Sequence, residues 1–429
     1  MARVLLLATT TGYQTRAFAA AAERLGVEIV YATDRCDVLD DPWRDGAVAL
    51  RFHDEPWSVA ALIDAVARRP IDGVLAVGDR PTVIAAEIVS ALGLAGHSPA
   101  AARVARNKLS TRKSLTAAGL MAPWFRAVNV TTDADTLARE IAYPCVVKPL
   151  ALSASRGVIR ADSPPAFIVA FERLGAILGS PEVRGERNEA HGEVLIEGFI
   201  PGREVALEAV MDHGALMPLA IFDKPDPLDG PFFEETIYVT PARLTAEESA
   251  AVVEAVVRAA RAIGLSHGPV HAECRINADG VFVLEAAARP IGGLCARALS
   301  FVHRAQAGRE PSCSLEELLL QQALGESPAY WQRERAASGV MMIPIPRRGV
   351  LRGVSGVEAA RQIACVTDVQ MTARLGHVLV PLPEGASYLG FIFARATGAD
   401  AVEQALRGAH ARLSFAIDAD VRVLQSAHG

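Results

Sequence analysis

The sequence predicts a protein of several domains that combines the α/β and α+β classes, and three observations lead to this prediction. The chain has 429 residues, which is too long for one ordinary hydrophobic core. Its first hundred residues alternate strand and helix patterns, as in a doubly wound unit with a parallel sheet. Short strand patterns follow from about residue 121, and the last ninety residues resemble a compact α+β module.

The N-terminal domain is expected to contain three strands and three helices. The loop of residues 9–12, T-T-T-G, follows the first strand, at the sheet edge where doubly wound sheets bind ligands. The dinucleotide fingerprint G-x-G-x-x-G is absent, which argues against a Rossmann dehydrogenase. The predicted strands are Val4–Ala8, Val27–Ala32 and Gly73–Val77, and the predicted helices are Thr15–Leu25, Ser58–Ala67 and Pro81–Leu92.

One helix is expected from about Ala100 to Ala118, because Ser98-Pro99 is a start signal and Gly119 is a stop signal. A second long helix is expected over Thr245–Ile263. It begins with a capping box, since Glu248 stands three residues after Thr245. The predicted strands between these helices are Trp124–Val130, Cys145–Lys148, Gly157–Arg160, Glu193–Ile200 and Glu204–Met211.

Composition and charge exclude several classes of protein. Hydrophobic residues make up 51% of the chain and charged residues 21%, as in a globular protein. The net charge of −6 gives no general attraction to nucleic acid or anionic membranes. No stretch reaches the roughly 20 apolar residues of a membrane span. The six cysteines contain no C-x-x-C pair, so we expect reduced thiols in a cytoplasmic protein.

Two carboxylates occur on a predicted hairpin in the C-terminal half. The sequence H-A-E-C-R-I-N-A-D-G-V-F-V-L-E carries a turn at Asp279-Gly280, between two strand patterns. Glu273 and Glu285 stand at equal distances from Asp279, so the hairpin sets them on adjacent strands. Two carboxylates followed by an arginine, Arg289, suit Mg²⁺ bound against a polyphosphate. A surface hairpin with two solvated acids is the alternative.

Four further motifs precede this hairpin in the chain. They are N-K at 107–108, Y-P-C-V-V-K-P at 143–149, the small-residue loop L-S-A-S-R-G-V at 152–158, and E-V-L-I-E-G-F-I-P-G-R-E-V at 193–205. With five motifs in this order, the chain resembles the ATP-grasp superfamily over roughly residues 1–330. The last ninety residues resemble the tail module of its L-amino acid ligase branch.

The resemblance implies a division of the chain into three domains. A doubly wound pre-ATP-grasp domain is expected over residues 1–105. An ATP-grasp domain is expected over residues 106–335, with its lid at about 121–211. A C-terminal α+β module is expected over residues 336–429.

The resemblance also implies a set of nucleotide-binding residues. Lys148 is expected to contact the α-phosphate, and Lys108 to reach ATP from the linker; for both, a lysine that snorkels to solvent is the alternative. Main-chain N–H groups and hydroxyls of the loop at 153–157 are expected to fold over the phosphates, unless the loop is an ordinary turn. The residues expected there are Ser153, Ser155, Arg156 and Gly157.

The segment 197–200 resembles the hinge whose main chain pairs with adenine. Its members Glu197, Phe199 and Ile200 are therefore assigned to the nucleotide, with Phe199 or Ile200 packing on the base. Glu204 matches the carboxylate that accepts the ribose hydroxyls, and a solvated strand glutamate is the alternative.

The same resemblance assigns the metal and the chemistry. Glu273 and Glu285 are the expected ligands of Mg²⁺, or of Mn²⁺ in its place. The family pattern E-x-N-x-R reads E-A-A-A-R here, with Ala287 at the position of the asparagine ligand. Arg289 is expected to stabilise an acyl phosphate and the oxyanion formed on it. His271 is expected to touch the acceptor substrate or orient the metal ligands, and a packed core histidine is the alternative.

The resemblance therefore implies an ATP-dependent carboxylate–amine ligase that acts through an acyl phosphate on small-molecule substrates, one of them an amino acid. Homodimers are common among the relatives, although no residue pattern here marks an interface. Two alternatives remain open. One is a carboxylase or ribonucleotide-type ligase of the same superfamily, and the other is an ATP-binding sensor with degraded catalysis, suggested by Ala287.

Overall fold

A computed structural model of the protein describes residues 1–9, 14–34, 47–306 and 313–419. Residues 10–12 of the loop predicted to bind a ligand lie outside the described residues, as does Cys36. Among the helices that are described, none is both long and apolar enough to cross a bilayer.

The N-terminal region is a parallel sheet with helices on both faces, which confirms the predicted doubly wound unit. Along the first strand, Leu6 packs toward Phe18 of one helix, whereas the next residue, Leu7, packs toward Leu62 and Ile84 on the opposite face. The sheet order is β3-β2-β1-β4. Its elements are β1 (Arg3–Ala8), α1 (Thr15–Leu25), β2 (Glu28–Thr33), β3 (Val48–Ala49), α2 (Glu55–Val66), β4 (Gly73–Val77) and α3 (Thr82–Leu92).

The single helix predicted from Ala100 to Ala118 is wrong, because the chain forms two helices, α4 (Pro99–Arg106) and α5 (Lys108–Ala117). Asn107 separates them with an extended main chain, φ −110° and ψ 113°. Its side chain accepts a hydrogen bond from the N–H of Ser110 at 3.0 Å and so caps the second helix. The break leaves Lys108 at the start of α5.

The segment predicted as the lid is a small antiparallel sheet with a hydrophobic core of its own. The sheet order is β5-β8-β6-β7. Val147 and Ile196 of this sheet pack against Phe167 and Leu174 of a helix. The elements are β5 (Phe125–Asn129), α6 (Ala134–Glu140), β6 (Cys145–Pro149), β7 (Ile159–Ala161), α7 (Pro164–Leu178), α8 (Pro181–Gly185) and β8 (Glu193–Gly198).

The central region contains the predicted hairpin and the predicted capping box. Glu273 and Glu285 are direct partners across the hairpin. Thr245 accepts from the N–H of Glu248, whose carboxylate accepts from the N–H of Thr245 at 2.8 Å. The elements are β9 (Arg203–Asp212), β10 (Ala215–Asp223), β11 (Ile237–Thr240), α9 (Ala246–Ile263), β12 (Gly268–Asn277), β13 (Gly280–Ala287), β14 (Ser300–His303), β15 (Cys313–Ser314), α10 (Leu315–Ala323) and β16 (Trp331–Arg333).

Strands from the last ninety residues extend the central sheet. Its order is β13-β12-β9-β10-β11-β17-β21-β19, so the central and C-terminal strands form one eight-stranded sheet. Helix α9 covers one face near the hairpin, and the N-terminal region packs on the other. The remaining elements are β17 (Ala337–Ile343), β18 (Gly349–Ser355), α11 (Val357–Arg361), β19 (Val366–Met371), β20 (Val378–Leu379), β21 (Gly390–Ala396), α12 (Ala399–His410) and β22 (Ser414–Asp418).

Candidate active site

A cavity of about 640 Å³ lies where the N-terminal region, the lid sheet and the hairpin meet. It brings together every residue predicted for the site except Arg156 and Gly157. The predicted residues that line it are Lys108, Lys148, Ser153, Ser155, Glu197, Phe199, Ile200, Glu204, His271, Glu273, Glu285 and Arg289.

On the lid side of the cavity, Glu197 is held by two cations. Its buried carboxylate contacts Lys148 of β6 and lies 3.0 Å from the guanidinium of Arg112 in α5. Burial raises the pKa of Glu197, but the charges of Arg112 and Lys148 outweigh it and bring the pKa below its ordinary value. The sequence did not indicate Arg112 as a site residue, because it stands 85 residues before Glu197.

In the hinge that follows β8, one main-chain N–H group is available to donate a hydrogen bond to a nucleobase. The N–H of Phe199 donates to the carbonyl of Pro144 at 3.1 Å, and the carbonyl of Ile200 accepts from Arg275 at 2.7 Å. Within the described part of the chain, the N–H of Ile200 has no hydrogen-bond partner. The ring of Phe199 lies 4.0 Å from the guanidinium of Arg160, so its face is already partly covered.

The small-residue loop combines residues that line the cavity with residues that are anchored to other parts of the protein. Ser155 has a positive φ of 55°, and Ser153 and Ser155 both line the cavity. By contrast, Arg156 forms a bidentate ion pair with Glu182, with both distances 3.0 Å. The N–H of Gly157 donates to the carbonyl of Pro383 at 2.9 Å. These two residues therefore tie the loop to α8 and to the C-terminal region.

On the central sheet, three carboxylates surround the buried amine of Lys224. Its Nζ atom lies 2.8 Å from Glu204 and 3.1 Å from Glu273, and it also contacts Glu235. Burial lowers the pKa of Lys224, but the three carboxylates outweigh it and hold the pKa well above its ordinary value. Burial raises the pKa of Glu235 to about 7, although its carboxylate also accepts from Tyr238 at 2.7 Å.

A second cation holds Glu204 in place. Arg275 of β12 donates to Glu204 at 2.9 Å, and Glu204 is 8% exposed. This carboxylate is therefore buried and paired rather than solvated. Sequence reasoning missed both of its partners, Lys224 and Arg275, although strand alternation places Arg275 on the same face as Glu273.

Across the hairpin, Glu273 and Glu285 both remain partly open to the cavity, with side chains 25% and 27% exposed. Lys108 forms an ion pair with Glu285 at 3.6 Å. Two positions after Glu285, the buried residue Ala287 pairs with His271 in the strand register. Two cross-strand carboxylates with free oxygen lone pairs form a donor set that suits a hard divalent cation.

His271 is held by a fully buried carboxylate. Its Nδ1 atom lies 3.1 Å from Glu208, which also accepts from the N–H of Ile291 at 3.1 Å, and its Nε2 atom lies 3.7 Å from Glu273. Burial lowers the pKa of His271, but Glu208 and Glu273 outweigh it and raise the pKa to about 9. Burial raises the pKa of Glu208 itself.

Arg289 joins the hairpin to the N-terminal region. Its Nε atom donates to Asp79 at 2.8 Å, and its Nη1 atom donates to the carbonyl of Pro290 at 3.0 Å. Burial raises the pKa of Asp79, but Arg289 outweighs it and brings the pKa below its ordinary value. Asp79 follows β4 at the carboxyl edge of the sheet. Because ligands bind at this edge of a parallel sheet, the position of Asp79 could have marked it as a site residue. The prediction named the loop after β1 instead.

Comparison with known families matches the described architecture. Residues 19–96 match an ATP-grasp N-terminal domain, residues 141–298 an ATP-grasp domain, and residues 341–418 the L-amino acid ligase C-terminal domain 2. The chain belongs to the ATP-grasp superfamily. ATP binding follows from this membership, and the predicted fold is confirmed.

A solved structure extends the likeness to nearly the whole chain. The L-amino acid ligase from Bacillus licheniformis superimposes with a TM-score of 0.81 and 27% identity, over 97% of this chain and 99% of that protein. The phosphoribosylglycinamide synthetase from Anaerococcus prevotii superimposes with a TM-score of 0.66 at 15% identity, over 97% of this chain and 100% of that one, which shows the shared fold alone.

Curated relatives match at lower coverage. An alanine–anticapsin ligase of Bacillus subtilis is 25% identical over 296 residues, which are 65% of this chain and 62% of that relative. A protein of Sinorhizobium fredii, named uncharacterized protein y4rH, is 25% identical over 81% of this chain and 68% of its own length. The chain therefore spans less than two thirds of the alanine–anticapsin ligase.

Proposed function

We propose that the protein is an ATP-dependent carboxylate–amine ligase that forms an amide or peptide bond, with an amino acid as one substrate. The observation that carries the proposal is the meeting of the paired carboxylates Glu273 and Glu285 with Lys108, Lys148 and Arg289 in one cavity. Ligases of amino acids among the relatives and the superimposed structures support it.

The nucleotide is assigned to the lid side of the cavity. Lys108 and Lys148 supply positive charge for phosphates, while Ser153 and Ser155 supply loop hydroxyls above them. The free N–H of Ile200 donates to the base, with Phe199 beside it. In the same scheme Glu204 accepts the ribose hydroxyls, because a carboxylate held by Lys224 and Arg275 keeps lone pairs for further donors.

Roles for the anchored residues follow from their contacts. Glu197 acts through its side chain, because it fixes the position of Lys148. Arg156 and Gly157 hold the phosphate loop through Glu182 and Pro383, rather than by touching the nucleotide.

Glu273 and Glu285 would hold Mg²⁺, or Mn²⁺ in its place. The two residues are direct partners on adjacent strands and their side chains remain partly open to the cavity, which suits a hard cation that keeps water or phosphate among its ligands. The bound ion supplies neutralisation of phosphate charge. Ala287 contributes no ligand, so one fewer protein oxygen is available than in the usual family pattern.

The reaction joins two substrates at the expense of ATP. A substrate carboxylate oxygen attacks the γ-phosphorus, and the bond to the bridging oxygen breaks to release ADP. The amine of the second substrate then attacks the acyl carbon, phosphate leaves with the C–O bond electrons, and the amine loses its proton. Arg289 stabilises the acyl phosphate and the oxyanion, and His271 orients Glu273 at the edge of the acceptor site.

The division into three domains remains part of the proposal. Residues 1–105 carry Asp79, residues 106–335 carry the nucleotide and metal residues with a lid at about 121–211, and residues 336–429 complete the sheet. Closure of the lid excludes water and so protects the acyl phosphate from hydrolysis. We assign the enzyme to the cytoplasm, because the five described cysteines are free thiols.

Phosphate release with Mg-ATP across a panel of amino-acid pairs and amines tests the proposal. Phosphate that appears only with particular pairs, together with a condensed product in the mass spectrum, is the expected result. Binding of ATP without phosphate release under every pair would contradict the ligase and favour the sensor suggested by Ala287.

A further inference from the structure

A second cluster of potential ligands lies at the far end of the central sheet. Asp212 is the last residue of β9, His213 follows it in the turn to β10, and His267 immediately precedes β12. Asp212 lies eight positions after Glu204 along β9, and His267 lies four positions before His271, so the cluster lies about 13 Å from the nearer of these two cavity-lining residues. No residue of the cluster lines that cavity.

The three side chains stand at distances that suit a shared ion better than direct hydrogen bonds. The Nδ1 atom of His267 lies 3.5 Å from Oδ1 of Asp212, and the Nε2 atom of His213 lies 3.8 Å from the same oxygen. One ligand atom from each residue lies within 4.8 Å of the other two. Ligands at about 2.0–2.1 Å from a tetrahedral ion stand about 3.4 Å apart, close to these separations.

His267 is buried, and the described part of the chain offers no hydrogen-bond partner to either of its ring nitrogens. It is 6% exposed, and neither Nδ1 nor Nε2 forms a hydrogen bond. The main chain of Gln322 lies near the ring but makes no hydrogen bond with either nitrogen. A buried polar atom without a hydrogen-bond partner destabilises the folded state, so the position implies a ligand for the ring.

The surroundings hold this arrangement in place. Ser327 donates to Oδ2 of Asp212 at 3.3 Å, which leaves Oδ1 directed between the histidines. The N–H of Gly214 donates to the carbonyl of Ser266 at 2.7 Å and ties the turn to the segment before β12. His213 adopts a φ of 46° and is 78% exposed, so the ion has a path from solvent.

We propose that Asp212, His213 and His267 bind one divalent transition-metal ion, with Zn²⁺ the best suited. Two imidazole nitrogens and one carboxylate oxygen are ordinary zinc ligands, and water completes the tetrahedron. The ion links the β9–β10 turn to β12 and so stabilises the far end of the sheet. This site is separate from the Mg²⁺ assigned to Glu273 and Glu285 and does not depend on the ligase reaction.

Metal binding to the full chain, purified without a histidine tag, tests the proposal. Zn²⁺ titration after removal of metals by chelation is expected to give one ion per chain at this site, and Co²⁺ is expected to give the visible absorption of a tetrahedral complex. The melting temperature is expected to rise with Zn²⁺.

Two variants and a matched control identify the ligands. His213→Asn keeps a residue that tolerates a positive φ, and His267→Gln keeps a polar side chain of similar size. In both, Zn²⁺ affinity is expected to fall by more than the roughly 10–100-fold that the loss of an outer partner costs. His377→Asn, at another exposed histidine, is expected to leave it unchanged.

Circular dichroism before metal addition separates loss of the site from loss of the fold. Normal Zn²⁺ affinity in a folded His213→Asn protein would overturn the proposal. Absence of both Zn²⁺ binding and the tetrahedral Co²⁺ spectrum in the unmodified chain would overturn it as well.

Discussion

His271 and His267 lie four residues apart on the segment that leads into and along β12, and each is 6% exposed. Their environments differ in one respect. His271 has Glu208 at 3.1 Å and Glu273 at 3.7 Å, whereas His267 has Asp212 at 3.5 Å and, among the residues that the structure describes, no hydrogen-bond partner for either ring nitrogen. Burial alone therefore does not determine the pKa of a histidine, because the charged groups that lie beside the ring also shift it.

The same contrast separates the two ends of the sheet. At the cavity end, the carboxylates and cations of the protein satisfy one another, as around Lys224. At the far end, Asp212 lies near two histidines without pairing closely with either. We infer that the cavity end is arranged in advance for polyatomic substrates, while the far end is completed by a single ion.

Replacement of Arg289, which lies at the cavity end of the sheet, is expected to have the largest effect on the rate of ligation. Arg289→Ala removes the only proposed donor to the oxyanion, so kcat for ligation should fall about 10²–10³-fold. Binding of a non-hydrolysable ATP analogue should change by no more than about twofold. Coupled phosphate release and calorimetry measure the two quantities.

The exposed pair of Arg352 and Asp418 supplies a control, since Arg352→Ala should leave both quantities unchanged. Arg289→Lys keeps the charge but loses the planar guanidinium, and it should restore only part of the rate. Full activity of Arg289→Ala would contradict the role assigned to this residue.

Glu285→Gln is expected to raise the Mg²⁺ concentration needed for half-maximal activity by about 10–100-fold. Glu285 is the cleaner of the two carboxylates to change, because Glu273 also holds Lys224 and His271. The measurement is the initial rate of phosphate release against Mg²⁺ concentration. Glu193→Gln, at an exposed position of β8, is the control, and an identical Mg²⁺ dependence in both variants would refute the metal assignment.

Stability should depend on pH through His271 when no divalent cation is added. The pKa of His271 is raised to about 9 in the folded protein, so the native state holds a proton that the unfolded state loses near pH 6.5. The stabilisation, about 3 kcal/mol, is complete below about pH 6.5 and lost as the pH rises through about 9. Urea unfolding at several pH values measures it.

Glu208→Gln removes the closest charge on His271, so the decrease in stability at alkaline pH should become smaller in this variant. An equal alkaline decrease in both proteins would show that another group causes it.

The smallest effect is expected at the far end. His213→Asn should change the rate of ligation by less than about twofold, because none of the three proposed zinc ligands lines the cavity. The rate is measured at saturating ATP and Mg²⁺, with the unmodified chain as reference. A large decrease in rate would show that the two ends of the sheet are coupled, against the independence inferred above.

Local patterns in the sequence were sufficient for most of the fold. The hairpin with Glu273 and Glu285, and the capping box at Thr245, follow from residues within a few positions of one another. The break at Asn107 was missed because helix-forming residues stand on both sides of it, and the hydrogen bond from Lys108 N–H to Leu150 that follows it is distant in sequence. Tertiary contacts overrode local propensity there.

The partners of the predicted site residues were harder to find. Arg112 meets Glu197 from another element, and Asp79 reaches Arg289 from the N-terminal region, 210 residues earlier in the chain. The three carboxylates around Lys224 come from three separate segments of the chain. Charge pairing of this kind depends on the folded arrangement, which no local spacing encodes.

The continuity of the eight-stranded sheet has a consequence for synthesis of the protein. One edge of β11 (Ile237–Thr240) pairs with β17 (Ala337–Ile343), about a hundred residues later. On the ribosome, that edge stays open until the later strand has emerged, and an unpaired strand edge invites association with other chains. The hairpin strands can pair much sooner, so the nascent chain passes through a stage in which five of the eight strands can pair and the open edge of β11 needs protection.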